Sequence, residues 1–475
     1  MSDAGAVLVD DRARAATAAV RAQTGVAWDV LGAGPDVEEQ VHAHLARTLW
    51  RLLGPHVRDQ ARLWRAARPG GAWSAAGDAV GDPAFAAYLE EDGWAALDAR
   101  LPRLEPLVAE ILAREATAAA EVLVRAARDT PALTAYFGDG DALGPLTAVA
   151  LGRSDPHHGR RTVAALSFAG GLRVVYKPRP VALEADLAAI LDWLRDHGPL
   201  ELPPGLDVLV RGDYGWCAFV DARECTSREE VDTHFRRLGA LTAVLAELGA
   251  TDAHADNFVA AGPDPVLVDA ETLLHPRLLA SPGFSLRETE IVPSQVVGPA
   301  GQRIDYPGYD GEPGQDPPNL PRWEGRPQHL RDHRAPFDDG VAAARDVLAD
   351  RHEALTAPDG PLATLAGRRA RIVLRPTELY GRLLLHLTSA PALRADDGGL
   401  ARVDQALSRY RDPVLSDDAW TTVQRAELAA LAAGDIPRLT ADTTTGNLHD
   451  ADGTLLAAAA FTPVLPGLRS RTPPG

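Results

Sequence analysis

Apolar positions three and four residues apart dominate the N-terminal part of the chain, residues 1–145. The spacing is clearest over 36–66 and 86–129, where polar and charged side chains fill most of the other positions. This period places the apolar side chains on one face of an α-helix. We expect an interruption near Pro102 and Pro106, because proline lacks the N–H that a helical hydrogen bond needs. The pattern therefore predicts a helical N-terminal region, and nothing in it indicates catalysis.

The pattern changes to short β-type runs after residue 145. The stretch RTVAALSFAGGLRVVYKPRP, residues 161–180, predicts two strands joined by a turn at Gly170 and Gly171. DVLVRG and YGWCAFVDA predict a second strand pair. A helix of about six turns should follow over 226–250, with Ser227 and Glu230 as its capping box. The polar run TDAHADN then precedes two short strands, FVAAG and PVLVDAE.

The C-terminal half contains a long Pro- and Gly-rich segment, residues 280–340. Such a segment in a compact chain indicates a functional loop or disorder. Helical spacing returns at 337–356, and the strand-like RIVLRPT and further helices follow before a tail that ends in FTPVLPGLRSRTPPG. We predict an α+β fold with four regions: 1–145, 146–279, 280–340 and 341–475.

Composition narrows the classes of function. With 46% hydrophobic and 24% charged residues the chain can form a globular core, and its formal net charge of −18 argues against a nucleic-acid-binding surface. The two cysteines, Cys217 and Cys225, imply no disulfide framework. The N-terminus does not resemble a signal peptide, and no apolar run approaches the roughly 18 to 20 residues of a membrane-spanning helix. We expect a cytoplasmic protein with no nucleic-acid or membrane partner.

Lys177 is the single lysine among the 48 lysine and arginine residues. It stands at the end of the second predicted strand, in VVYKPRP. An ammonium is a compact point charge with three donors, whereas a guanidinium is a wide planar fork. Retention of lysine at this position therefore indicates a site where the two cations are not interchangeable, such as the phosphates of a nucleotide.

A second group of polar residues follows Lys177 in a defined order. Asp252, His254 and Asn257 lie in TDAHADN, and Asp269 and Glu271 come after two predicted strands. Phosphoryl transfer from ATP needs a cation at the phosphates, oxygen ligands for Mg²⁺ and a group that orients the attacking hydroxyl. Protein kinases supply these parts in the same order, although LSFAGGLRV only weakly replaces their glycine-rich loop. The order predicts a kinase-like core over 146–279 that uses ATP and Mg²⁺.

Six motifs in order carry a resemblance to a known family. They are SDPHHGR, VVYKPRP, YGWCAFV, ATDAHADNFVAAGPDPVLVDAETLL, RIVLRPT and AGDIPRL. The chain, from about residue 90 to 440, resembles the dehydratase domain of class II lanthipeptide synthetases (LanM type). The resemblance implies a lipid-kinase-like, two-lobed catalytic core with an N-terminal helical region and additional C-terminal helices. DAHADN is closer to the DRHxxN loop of phosphoinositide kinases than to the HRD loop of protein kinases.

The implied activity has two steps. ATP phosphorylates Ser or Thr of a precursor peptide that consists of a leader and a core, and elimination of phosphate then gives dehydroalanine or dehydrobutyrine. For the first step the resemblance assigns Lys177 to the ATP phosphates and Asp252 to catalysis, with His254 beside it. Asn257 and Asp269 would hold Mg²⁺, and Glu271 would support them.

For the elimination step the resemblance assigns Arg371 and Thr377, six residues apart, with Arg375 between them as a further phosphate contact. Asp155 and His157 match the GDxH motif of the family and would lie near the active site. Ser154 replaces the glycine of that motif and Pro156 separates its acid and histidine. Ala218 stands where the family has glutamate, and this removes one supporting carboxylate.

Because both cysteines lie in the kinase-like core, we expect no zinc and no cyclase activity, so ring formation would need a separate cyclase or tailoring enzyme. A kinase that only phosphorylates a peptide or small molecule, or a non-catalytic scaffold that binds peptide, remains an alternative. A dehydratase that uses glutamyl-tRNA fits the acidic charge less well. Asp252 and Asn257 could also form only a turn, His157 a surface turn, and Arg371 a pair with a surface acid.

Overall fold

The structure is a computed structural model, and it describes the greater part of the chain. The described residues are 9–68, 79–138, 142–275, 286–297, 303–311, 319–409, 411 and 415–462. Most of the predicted tail, 463–475, and parts of the predicted irregular segment, 280–285, 298–302 and 312–318, lie outside them.

The described helices follow the predicted apolar periods. They are α1 (Asp10–Thr24), α2 (Val26–Val30), α3 (Pro35–Ala66), α4 (Pro83–Tyr88), α5 (Trp94–Arg100), α6 (Leu104–Phe137), α7 (Ala182–His197), α8 (Arg228–Glu247), α9 (Arg334–Thr356), α10 (Thr377–Leu387), α11 (Ala390–Arg394), α12 (Leu400–Ser408) and α13 (Asp417–Ala432). A single π-helical turn, Leu89–Gly93, joins α4 to α5, and short 3₁₀ turns occur at Ala79–Gly81, Ala255–Asn257, Leu286–Thr289, Gly308–Asp310, Leu330–Asp332 and Pro361–Leu365.

The strands are short, at two to five residues each. They are β1 (Leu146–Ala150), β2 (Ala164–Phe168), β3 (Arg173–Lys177), β4 (Val208–Val210), β5 (Gly215–Ala218), β6 (Phe258–Ala261), β7 (Asp264–Leu267), β8 (Ser294–Val297), β9 (Arg303–Tyr306), β10 (Arg322–Trp323), β11 (Arg326–Pro327), β12 (Arg369–Ile372), β13 (Leu439–Asp442), β14 (Leu448–His449) and β15 (Leu455–Ala457).

The chain forms two compact units, each from two separate segments. The first unit comprises Met1–Pro178 and Leu374–Pro437, and the second comprises Arg179–Val373 and Arg438–Gly475. Helices and small antiparallel sheets occur in both, so the fold is α+β as predicted. The lipid-kinase-like lobes and the four predicted regions stay predictions.

The first unit contains the predicted N-terminal helices. Helices α1, α3 and α6 pack together through apolar faces such as Val41, Leu45 and Leu49, which are fully buried on α3. The predicted interruption falls at the turn around Pro102, just before α6 begins. Pro106 does not interrupt α6, because it lies in the first helical turn, where the N–H groups have no partner within the helix.

The first unit also holds the predicted hairpin. β2 pairs with β3 in antiparallel register, with Ala164 opposite Tyr176 and Leu166 opposite Val174. Gly171 in the connecting turn has a φ of +92°, which glycine adopts without steric cost. β1 pairs antiparallel with the other edge of β2. Because β2 buries alternate residues, this hairpin directs one face of the sheet to the core and delivers Lys177 at the end of β3.

The core of the second unit lies along α8 and α9, which pack closely against each other. A Cβ atom at Gly239 would lie 2.0 Å from the carbonyl oxygen of Phe337, and one at Gly340 would lie 1.9 Å from that of Arg236. Glycine therefore permits the approach of the two backbones at both positions. The predicted capping box at the start of α8 is confirmed, because the Ser227 hydroxyl accepts from the Glu230 N–H at 3.2 Å.

The strands of the second unit form small antiparallel groups. β4 pairs with β5, as predicted, and the two short strands predicted after TDAHADN, β6 and β7, pair with each other. β12, β13, β14 and β15 form a four-stranded sheet in that order. β8 pairs with β9 and β10 with β11 in the described parts of the predicted irregular segment. Both cysteines are buried free thiols. Across the described ranges, no helix is long and apolar enough to cross a membrane.

Candidate functional site

The candidate catalytic loop follows α8 in the second unit. Asp252 has a φ of +60°, a left-handed conformation that is uncommon for residues with a side chain. The loop is held by local bonds: Asn257 Nδ2 donates to the Asp252 carbonyl at 2.5 Å, and the Ala253 N–H donates to the Thr289 carbonyl at 3.0 Å. The Val268 N–H donates to the Asn257 carbonyl at 2.8 Å, which ties the loop to the chain just before Asp269. The loop is thus a braced structure rather than a simple helix-to-strand turn.

His254 lies between the carboxylates of its own loop. Its Nε2 is 3.3 Å from Asp252 Oδ1, and the Asp256 N–H donates to its Nδ1 at 3.3 Å. The hydrogen bond to Asp252 raises the pKa of His254, against an opposing effect of burial and with further help from the charges of Asp252, Asp256 and Glu290. The neutral imidazole therefore carries its proton on Nε2, which faces Asp252, and its Nδ1 lone pair accepts from the Asp256 N–H.

Glu290 is a further acid of this loop environment. Its Oε1 accepts from the Thr251 hydroxyl at 3.2 Å. Burial raises the pKa of the Glu290 carboxyl, and repulsion from Asp252 adds to this effect. Glu290 was not predicted as a site residue, because it lies in the Pro- and Gly-rich segment where no periodic pattern or motif singles it out.

Asp269 follows β7 and is bound to an arginine. Arg179 Nη2 donates to Asp269 Oδ1 at 2.6 Å and to Glu184 Oε1 at 2.6 Å, while Arg179 Nε lies 3.1 Å from Glu271 Oε2. Burial opposes the charge of Arg179, but Asp269, Glu184 and Glu271 outweigh it and raise the pKa of the guanidinium well above its usual value. Arg179 therefore stays charged and fixes the orientation of Asp269.

Glu271 is the centre of the charged cluster in this unit. Besides Arg179, it binds Arg371 Nη1 through Oε1 at 2.7 Å and Arg438 Nη2 through Oε2 at 3.1 Å. Only 11% of the Glu271 side chain is exposed, so Arg371 does not pair with a surface acid. One carboxylate thus holds three guanidinium groups in fixed positions.

Arg371 is electrostatically coupled to the candidate catalytic residues as well. Burial opposes its charge, but Glu271, Asp252 and Asp269 raise the pKa of its guanidinium. Arg371 lies on β12, where it pairs with Thr440 of β13, and Arg438 immediately precedes β13. The second unit therefore brings together six of the predicted residues: Asp252, His254, Asn257, Asp269, Glu271 and Arg371.

The remaining predicted residues lie in the first unit. Lys177 ends β3 and is 4% exposed. A buried ammonium requires polar partners, since transfer of a charge out of water is costly. Asp155 is exposed, and its neighbour Ser154 closes the base of its loop by accepting from the Val163 N–H at 2.9 Å. The serine that replaces the glycine of the family motif thus has a structural contact of its own.

His157 lies on the same loop and is partly buried. Its Nδ1 is 2.7 Å from the carbonyl oxygen of Ile436, and its backbone exchanges two hydrogen bonds of 3.0 Å with Arg161. A carbonyl accepts only from a protonated nitrogen, so the neutral ring carries its proton on Nδ1. His157 is therefore fixed by tertiary contacts and is not a solvated surface turn.

Thr377 and Arg375 occupy the start of α10. Thr377 is the first residue of the helix and is half-buried. Arg375 is 2% exposed: its Nε donates to Glu427 Oε1 at 2.7 Å and its guanidinium carbon lies 4.9 Å from the centre of the Trp420 ring. The Tyr380 hydroxyl donates to the same Glu427 oxygen at 2.5 Å. These contacts give Arg375 a structural role inside the helical group, while its role at phosphate stays a prediction.

The described donor set fits magnesium in the way that phosphoryl-transfer sites bind it. Within the described ranges no group of three or more His, Cys, Asp or Glu side chains forms a complete cation site. Mg²⁺ in such sites is held by one or two protein oxygens and by the phosphates of the substrate. Asn257 donates through its amide nitrogen, which directs its amide oxygen away from the Asp252 carbonyl, and Asp269 supplies a carboxylate oxygen. Both are hard oxygen donors suited to this ion.

Arg179 and Arg438 were missed as site residues, although the motifs VVYKPRP and AGDIPRL contain them. Arginine is the usual basic residue of this chain, so its type alone does not distinguish Arg179 or Arg438 from a surface cation. Only the fold shows that both converge on Glu271.

Comparison with known proteins identifies a family. Residues 101–319 and 309–442 match the family described as "Domain of unknown function (DUF4135)", the domain associated with LanM-type synthetases. Over 62 residues the chain is 36% identical to a lacticin 481/lactococcin biosynthesis protein of Lactococcus lactis subsp. lactis. This match covers 13% of the chain and 7% of the length of that relative. The resemblance predicted from the six sequence motifs is thereby confirmed.

Proposed function

We propose a function from the premise that the chain belongs to the DUF4135 family, the domain family of LanM-type lanthipeptide synthetases. The chain is an ATP-dependent dehydratase that acts on Ser and Thr of a ribosomally made precursor peptide. The first step transfers the γ-phosphoryl group of ATP to the peptide hydroxyl and releases ADP and a proton. The second step removes the α-proton, expels the phosphate and leaves a dehydroamino acid.

Phosphoryl transfer is assigned to the braced loop of the second unit and to Lys177. Asp252 orients the peptide hydroxyl and accepts its proton, and His254 supports Asp252 through the contact at 3.3 Å. Lys177 binds the ATP phosphates. Asn257 and Asp269 would hold Mg²⁺, which supplies charge neutralisation at the phosphates when bound. Arg179 orients Asp269, because its buried guanidinium donates to Oδ1 at 2.6 Å.

Elimination is assigned to a cation, a donor and a proton acceptor. Arg371 binds the departing phosphate, and Thr377 donates a hydrogen bond to the enolate that develops when the α-proton leaves. His157, as a neutral imidazole, is assigned to the α-proton, and Asp155 lies two residues before it on the same loop. Arg371 is a sound phosphate ligand because its charge is maintained by three carboxylates.

One observation carries the proposal: Arg371, assigned to elimination, and Asp269, assigned to phosphorylation, belong to one charged cluster. Arg371 and Arg179 bind the same carboxylate, Glu271, and Arg179 also binds Asp269. A shared cluster suits an enzyme that first adds and then removes phosphate. A kinase without a second step would have no evident use for Arg371 beside the phosphoryl-transfer residues.

The test is the intact mass of the cognate precursor peptide after incubation with the chain, ATP and Mg²⁺. Wild type should give products lighter by one water molecule for each modified residue. Arg371→Ala should accumulate phosphopeptide, with elimination slowed by about a hundredfold or more. Arg369→Ala removes an exposed arginine from the same strand and should behave like wild type.

The outcomes separate the alternatives. Phosphopeptide as the final product of wild type, unchanged by Arg371→Ala, would establish the kinase-only alternative. An unchanged peptide mass, together with no stabilisation of the protein by ATP and Mg²⁺ in a thermal-shift assay, would instead support the non-catalytic scaffold.

A further inference from the structure

We infer that Asp435 is a positioning residue that holds the loop 156–161 and fixes His157 in one tautomer. The inference deepens the proposed function and rests on it for the role of His157 in elimination. It concerns contacts within the first unit alone. Asp435 is 3% exposed and lies in the motif AGDIPRL, three residues before Arg438.

Asp435 binds two successive backbone N–H groups of the loop. Its Oδ2 accepts from the Gly159 N–H at 2.7 Å, and its Oδ1 accepts from the Arg160 N–H at 2.8 Å. These short bonds use both carboxylate oxygens, and hydrogen bonds to an ionised acceptor are stronger than neutral ones. A carboxylate can satisfy both donors, whereas an amide has one acceptor oxygen and one donor group.

The loop needs such support because its backbone is unfavourable by itself. Three consecutive residues, His158, Gly159 and Arg160, have φ angles of +45°, +83° and +65°. Left-handed conformations are costly for residues with a Cβ atom, so His158 and Arg160 adopt them only where surrounding contacts compensate. The two bonds from Asp435 fall on two of these three residues and hold the turn in this shape.

Residues on either side of Asp435 complete the same clamp. The Ile436 N–H donates to the Pro156 carbonyl at 2.9 Å, and the Ile436 carbonyl accepts from His157 Nδ1 at 2.7 Å. Arg160 Nη1 donates to the Gly434 carbonyl at 2.6 Å. The segment 434–436 therefore contacts the loop before, at and after His157.

The consequence for His157 is chemical. Its Nδ1–H is committed to a carbonyl, so the basic lone pair of the neutral ring belongs to Nε2, the nitrogen at the outer end of the ring. A general base must present its lone pair in one direction, and a ring that alternates between tautomers does so only part of the time. Asp435 thus acts through His157 by fixing the carbonyl and the loop that select the tautomer.

The experiment uses the full chain with its histidine rings labelled with a heavy nitrogen isotope. The NMR signals of the ring nitrogens are recorded at a pH above the pKa of a free histidine side chain. His157→Gln identifies the signals of His157. In wild type these should report a protonated Nδ1 and an unprotonated Nε2. In Asp435→Asn, which keeps the size but loses one acceptor, they should move to the averaged positions of a mixture. Asp397→Asn is the matched control, because Asp397 also accepts two backbone N–H groups in the first unit, those of Gly399 and Ala401.

A second variant tests the loop without touching Asp435. Gly159→Ala adds a methyl group that would meet no atom within 4 Å, so its effect comes from the positive φ alone. It should produce the same mixture of tautomers. Both variants should also slow the release of phosphate from the phosphopeptide by about tenfold or more, with the KM for the peptide little changed. Asp397→Asn should do neither.

The possible results are distinguishable. A single Nδ1–H tautomer that persists in Asp435→Asn and Gly159→Ala would overturn the inference, as would a lost tautomer with an unchanged elimination rate. If wild type dehydrates no peptide but the tautomer is lost in both variants, the proposed function fails and the control of the His157 ring by Asp435 stands.

Discussion

Arg371 and Glu271 are joined twice, once through their side chains and once through their backbones. Arg371 Nη1 donates to Glu271 Oε1 at 2.7 Å, and the Arg371 N–H donates to the Glu271 carbonyl at 2.7 Å. The two residues are 100 positions apart in the sequence. The double contact fixes the strand β12 against the segment that follows β7, and so sets Arg371 beside Asp269.

Glu271→Gln should weaken both the fold and the elimination step. The change removes the charge that three guanidinium groups share while the side chain stays the same size. Breaking a buried ion pair costs about 3 kcal/mol in free energy of unfolding. Phosphate release should slow more than phosphorylation, because Arg371 loses its nearest carboxylate. Urea unfolding and a time course of peptide mass measure the two effects.

The control for this change is Glu201→Gln, which removes an exposed acid that lies 3.5 Å from Arg236 in the same unit. Exposed pairs contribute little to stability, so unfolding should change by less than about 1 kcal/mol. Equal changes in the free energy of unfolding and in the rate of phosphate release for both variants would show that Glu271 contributes no more than an exposed acid.

Asp252→Asn should lower the pKa of His254 toward its ordinary value of 6.5. In wild type the bond to Asp252 raises the pKa of His254 in the folded protein. The stability from this pair is therefore fully present below the pKa of the unfolded chain and is lost as the pH rises through the folded-state pKa. NMR titration of the His254 ring in both proteins measures the shift.

Asp256→Asn provides the comparison, because Asp256 is also near His254 but is 84% exposed and its carboxylate is 3.9 Å from the ring nitrogen. Water screens its charge, so the pKa of His254 should move less than in Asp252→Asn. A larger shift in Asp256→Asn would contradict the assigned cause.

Gly239→Ala and Gly340→Ala should each destabilise the second unit. The added methyl groups would lie 2.0 and 1.9 Å from carbonyl oxygens of the facing helix, which forces α8 and α9 apart. Overpacking of this kind costs about 1 to 3 kcal/mol. Gly381→Ala in α10 has open space around the new methyl group and should stabilise by about 0.5 to 1 kcal/mol. Urea unfolding of the three variants decides whether close helix contact explains these glycines.

Lys177→Arg should abolish most phosphorylation although the charge is conserved. Lys177 is 4% exposed, and a wider guanidinium cannot take the place of an ammonium at a closed site. The reciprocal change Arg173→Lys on the exposed start of the same strand should leave the rate unaltered. Peptide phosphorylation and circular dichroism are measured together. Full activity of a folded Lys177→Arg variant would show that this position does not require lysine.

Local sequence patterns were sufficient for most elements but not for the connections between distant ones. The hairpin at Gly171 and the capping box at Ser227 depend on neighbouring residues, and both were predicted. Pro106 was misjudged because its effect depends on where the helix begins, and α6 begins at Leu104. The approach of α8 to α9 depends on Gly239 and Gly340, which no local pattern connects.

In the candidate site, too, neighbouring residues could be predicted from the sequence but contacts between distant segments could not. The order of Asp252, Asn257 and Asp269 could be predicted because one loop and one hairpin carry them. The pairing of Arg179 with Asp269 and of Arg438 with Glu271 spans most of the second unit, and arginine is too frequent in this chain to stand out. Such partners become visible only when the fold brings the segments together.

The central claim is that water is lost from the peptide through a phosphorylated hydroxyl. It is tested most directly with the precursor peptide carrying a heavy-oxygen label in its serine and threonine hydroxyl groups, treated with the full chain, ATP and Mg²⁺. If the account is correct, every dehydrated residue releases its labelled oxygen in free phosphate, and phosphopeptide appears before the dehydrated product. Dehydration that leaves the phosphate unlabelled, or a peptide that keeps its oxygen and its mass, would contradict it.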